Sequence, residues 1–62
     1  MLNIKDKVRA VFKKYGRKST FIGEIFYIFP NGDVALTVLK IEKGYPLATH
    51  VAVPAKDVLE VL

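Results

Sequence analysis

The chain has 62 residues, a net charge of +4, no cysteine and one histidine, His50. Such a length buries only about 60% of the surface of the unfolded chain and excludes a second core, and the composition excludes a disulfide and leaves no ligand set for a structural zinc. No apolar run approaches the roughly 18–20 residues of a membrane span, and the opening Met1-Leu2-Asn3-Ile4-Lys5-Asp6-Lys7 has no signal-peptide core, so one soluble, cytoplasmic domain over residues 1–62 is expected.

Residues 1–20 carry Lys5, Lys7, Arg9, Lys13, Lys14, Arg17 and Lys18 against Asp6, a net +6, while residues 21–62 carry a net −2. The positive field therefore comes from one segment. Two structures compete for it. Ile4, Val8, Val11, Phe12 and Tyr15 fall at helical spacing between Asn3 as an N-cap and Gly16 as a stop. As a strand, Asp6, Val8, Ala10 and Phe12 share one face, and Lys5, Lys7, Arg9 and Val11 the other, giving an apolar inner row and a basic outer one. Its β-branched and aromatic residues favour the strand; the alternative is an N-terminal helix followed by an antiparallel sheet.

Next, Phe21–Phe29 and Val34–Ile41 read as antiparallel strands joined at Pro30-Asn31-Gly32-Asp33, where Asn-Gly suits the positive φ angles of a tight hairpin. Both are apolar on two faces, which means a strand bent across a small barrel or covered by another chain. If Glu24 faces solvent, Ile22, Phe26 and Ile28 share its side and form a partner-facing patch. Phe21, Phe26, Tyr27 and Phe29 are read mainly as core, with a stacking platform as the competing use. Glu42-Lys43-Gly44-Tyr45-Pro46 is a loop, and Ala48–Val53 a third strand stopped by Pro54. Pro54–Asp57 reads as one helical turn, and Val58–Leu62 as a short closing strand.

This order of pieces resembles a small five-stranded SH3-like β-barrel, an all-β fold with one short helical turn near the C-terminus. The tail from Val51 to Leu62 is similar to the strand, Pro-x-x-x-Val/Leu, strand ending of such domains. Asp6-Lys7-Val8-Arg9 followed by Gly23-Glu24-Ile25 resembles the opening of ribosomal KOW-type domains and of the plasmid-borne type II dihydrofolate reductases. The KOW likeness implies contact with RNA or with a protein bound to it. The reductase likeness implies assembly through barrel faces without activity: where the family has Val-Gln-Ile-Tyr-Pro, this chain has His50-Val51-Ala52-Val53-Pro54, and the lysine expected two places after Val8 is Ala10. Peptide-binding SH3 domains carry an Ala-Leu-Tyr-Asp-Tyr motif and paired tryptophans, both missing here, which disfavours polyproline recognition.

Rows of Lys and Arg bind phosphates by releasing condensed counterions, and Lys13-Lys14-Tyr15-Gly16-Arg17-Lys18 sets a ring among cations as single-strand-binding surfaces do. The expected function is a binding module, not an enzyme, that contacts RNA or DNA. Lys5, Lys7, Arg9, Lys13, Lys14, Arg17 and Lys18 hold phosphates and Tyr15 stacks. The alternative is a protein-interaction or self-assembling module using Ile22, Phe26 and Ile28. His50 is expected to be a partly buried structural residue, and Asp57 and Glu60 a cap and a surface charge. No phosphate-binding glycine loop, nucleophile elbow or metal motif is present, so no cofactor, metal, small-molecule substrate or membrane partner is expected.

Overall fold

The computed structural model describes residues 2–62. Five strands, β1 Lys7–Lys14, β2 Arg17–Ile28, β3 Val34–Lys43, β4 His50–Val53 and β5 Val58–Val61, form one antiparallel sheet in the order β4-β3-β2-β1-β5, with a 3-10 turn at Ala55–Asp57 between the last two. The basic segment is thus a strand, and the helical alternative is set aside. In a helix the β-branched Val8 and Val11 lose side-chain freedom, whereas a strand places Val8 and Ala10 at the centre of the core. Among the described residues, no helix is long and apolar enough to cross a membrane.

Alternation sorts each strand. Val8 and Ala10 of β1, Phe21 and Ile25 of β2, Val34 and Leu36 of β3 and Val53 of β4 form one buried cluster, with Phe12, Ile28, Val51 and Val58 packed against it. Each fully buried large apolar side chain stabilises the fold by about 1.5–3 kcal/mol. Gly23 sits inside β2 because an added Cβ would lie 2.9 Å from the Phe21 ring and 3.1 Å from the Thr37 carbonyl. The missing side chain lets β2 and β3 close over the core.

Both hairpins depart from expectation. Strands β1 and β2 are joined by only two residues, Tyr15 at φ 52° and Gly16 at φ 74°. Positive φ at both positions is the twist-matched geometry of a two-residue hairpin. The β2–β3 connection instead spans Pro30, Asn31 and Gly32, with only Gly32 at positive φ. The Phe29 N–H donates to the Asp33 carbonyl at 2.8 Å, and the Asn31 Oδ1 accepts from the Asp33 N–H at 3.0 Å.

The pairing of β2 with β3 slips after Thr20, after Ile22 and between Ile25 and Tyr27. Such bulges bend a strand and strengthen its twist, so β2 curves and β1 comes up against β4 without pairing to it. The last slip has a further effect. Ile25 lies opposite Leu36 and Ile28 opposite Val34, both inner positions, so Phe26 is the extra residue of the bulge. Ile22, Glu24 and Phe26 remain on the outer face, while Ile28 turns inward against the core. The grouping of Ile28 with Ile22 and Phe26 is therefore corrected.

Candidate nucleic-acid interface

The seven cations of the first segment do not form one patch. Lys5 lies in a turn at the start of β1, at φ 75°, its N–H donating to the Ile25 carbonyl at 2.7 Å. Lys7 lies opposite Glu24. Lys13 is six positions along the strand from Lys7, roughly 20 Å at about 3.3 Å per strand residue. Lys5 and Lys7 therefore stand at the far end of β1 from the hairpin.

Arg9, between the two groups, is occupied. Its Nε donates to Glu42 Oε1 at 2.7 Å and its Nη2 to Glu42 Oε2 at 3.2 Å, and Nη1 pairs with Glu60. The side-chain hydrogen bond from Arg9 holds the Glu42 carboxyl below its ordinary range, and the same bond raises Arg9 further. A guanidinium clamped between two carboxylates has little left to offer a phosphate. Arg9 is better described as a tie between β1, β3 and β5.

The remaining four cations converge at the β1–β2 tip. Lys13 lies directly opposite Lys18, and Lys14 directly opposite Arg17. Opposed residues in an antiparallel pair share a face, so the first pair lies on the outer side and the second on the side that continues Phe12 and Ser19. At the apex Tyr15 is 91% exposed, with the Lys14 ammonium 5.2 Å from its ring centroid. Lys13 is 3.5 Å from Asp57 of the 3-10 turn. Arg17 and Lys18 have no carboxylate partner among the described residues.

Like charges directly across a sheet destabilise it, and two such pairs end this hairpin. The twist-matched Tyr15-Gly16 turn holds them together. An anion beside either pair would relieve its repulsion.

A second structure supports the tip. Ser19 is fully buried, its Oγ donating to the Tyr45 carbonyl and accepting from the Tyr45 N–H, each at 2.9 Å. The neighbouring Gly44 has φ 113°, and a Cβ there would lie 2.6 Å from Ser19 Oγ and 2.8 Å from the Lys18 carbonyl. This contact draws the loop between β3 and β4 onto the base of the hairpin. Between that loop, the end of β1 and the free side of β4 lies a cleft of about 400 Å³, lined by Phe12, Lys14, Tyr45, Leu47, His50 and Ala52 among others. Nothing in the sequence alone pointed to it, since its walls come from three separated segments.

At the other end of β2 lie half-exposed aromatics. Phe26 meets the His50 ring edge-on at 5.1 Å, and Tyr27 meets Phe29 in the same way at 4.9 Å. Only Phe21 of the four aromatics in this region is core. His50 is exposed, contrary to the expectation of partial burial, because it lies on the outer face opposite Thr37. Among the described residues, no cluster of His, Cys, Asp or Glu is arranged to hold a metal ion. Comparison with protein families, with characterised proteins and with solved structures finds no match to this chain.

Proposed function

We propose that this chain is a small nucleic-acid-binding module on an SH3-like frame, contacting phosphates with the tip of its first hairpin. The frame is supported by the strand order, by the 3-10 turn between the last two strands and by the bends in β2. The function rests on one observation: Lys13 faces Lys18 and Lys14 faces Arg17 around an exposed Tyr15. Phosphate neutralisation by such groups is independent of sequence, and the Tyr15 ring offers a π-face to any base. Lys14, Arg17 and Lys18 carry the contact, Lys13 shares it with Asp57, and Lys5 and Lys7 add only a distant field. No catalytic step is assigned to the chain.

Anisotropy of a labelled single-stranded oligonucleotide at about 50 mM salt tests this reading. Micromolar binding by the native chain is expected, weakened at least about tenfold by Arg17→Glu with Lys18→Glu. Lys5→Glu with Lys7→Glu, the same charge change at the far end, is expected to cost only about threefold. Equal losses from the two double variants, or no binding by the native chain, contradict the assignment.

The half-exposed Phe26 and Tyr27 favour a second reading, a protein-interaction or self-assembling surface formed by Ile22 and these aromatics on the outer face. Sedimentation over a range of concentrations tests it. Self-association abolished by Phe26→Ser supports this surface, and a monomer at all concentrations argues against self-assembly.

A further inference from the structure

We infer that the cleft beside the hairpin takes a base of single-stranded nucleic acid, which makes the module selective for single strands over duplex. This rests on the phosphate-binding role of the hairpin and adds to it a place where the base goes. The walls supplied by Phe12 and Leu47 are apolar, and Lys14 belongs to both the cleft and the cationic tip. Arg17, opposite Lys14, stands on the same side of the hairpin. A strand whose phosphates lie on Lys14 and Arg17 therefore has a base within reach of the cleft. A duplex, with its bases stacked and paired inside, has none to offer.

One polar feature suits the edge of a base. Val38 N–H donates to the Thr49 carbonyl at 2.8 Å, and Thr37 lies opposite His50. In the alternating antiparallel pattern this turns the N–H and C=O of His50 and of Ala52 away from β3. Among the described residues no strand is hydrogen-bonded to β4 on that side, where β1 comes close without pairing, so a donor and an acceptor from each residue lie at the cleft without a ladder partner. An apolar slot with a few polar groups along its edge is the usual form of a site for a planar ligand, and the cations beside it select a polyanion.

The test compares labelled probes of about ten nucleotides, within the span such grooves bind: an oligothymidylate, an abasic strand of the same length, a duplex and a polyglutamate peptide. Expected are oligothymidylate binding about tenfold tighter than the abasic strand and weaker binding of the duplex. Ala48→Leu, in the exposed loop that lines the cleft, fills the slot without disturbing the core and is expected to bring oligothymidylate down to the abasic level. Equal affinity for the oligothymidylate and abasic strands, or for duplex, overturns the base site while the phosphate contact stands. Tighter binding of polyglutamate, or no binding of any probe, overturns both.

Discussion

The two ends of strand β2 carry opposite chemistries, and they differ in how far the fold satisfies them. At the Arg17 end two pairs of cations face each other across the hairpin, and among the described residues only Lys13 of the four has a carboxylate partner. At the Ile28 end the exposed aromatics largely answer one another, Phe26 against His50 and Tyr27 against Phe29. Edge-to-face pairs of this kind stabilise by about 0.5–1.5 kcal/mol beyond area burial, whereas opposed like charges cost the fold stability. The hairpin is thus the end whose charges the fold leaves least compensated.

The sharpest way to break the basic end is to remove what holds it against the β3–β4 loop. Gly44→Ala places a methyl group against Ser19 at a backbone angle that side chains rarely adopt, and a loss of about 3 kcal/mol in denaturant unfolding is expected. Ser19→Ala removes both hydrogen bonds to Tyr45 and strands its part-buried amide, for an expected loss of about 1–2 kcal/mol. Single-strand binding is expected to fall with it, because the loop and hairpin then part.

Smaller changes sharpen the contrast. Phe26→Ser at the aromatic end is expected to leave oligonucleotide affinity within about twofold, since no cation lies in that cluster; a tenfold loss in anisotropy would move the binding surface to that end. Acid titration of Tm probes the Arg9 tie between them. Because the folded-state pKa of Glu42 lies below its ordinary 4.5, its contribution is complete above that value and is lost as pH falls through the lowered one. Glu42→Gln is expected to lower Tm slightly at neutral pH, where the tie is intact, and to leave it unchanged at the acid end, so that the acid limb flattens; the drop is small because both side chains are partly solvated.

Much of the fold was legible because alternation carries register information. Val8, Ala10 and Phe12 recur every second residue, and strand pairing turns that spacing into an inner face. Pro54 and the turn after it marked the break before β5. The Tyr15-Gly16 hairpin was hidden because Gly16 also suits a helix stop and tyrosine is an uncommon residue at positive φ. Ile28 was misplaced because a bulge at Phe26 has no residue-type signature and reverses every face beyond it.

The site was half legible for a related reason. Cation density along the chain showed where the positive charge lies, and the apex Lys13–Lys18 was visible as a cationic run with a ring inside it. Which cations are free is a long-range property. Arg9 is neutralised by Glu42 and Glu60, brought beside it by β3 and β5, and the cleft exists because Ser19 holds Tyr45. No local pattern announces either contact.

The dependence of single-strand affinity on salt tests the hairpin assignment most directly. Three or four phosphates on the tip imply a slope of log K against log salt of about −2 to −3, and each cation removed flattens it by about 0.7. A slope in that range, shallower in the Arg17→Glu, Lys18→Glu chain, is the expected result. A slope near zero, or one that these two substitutions leave unchanged, contradicts the account.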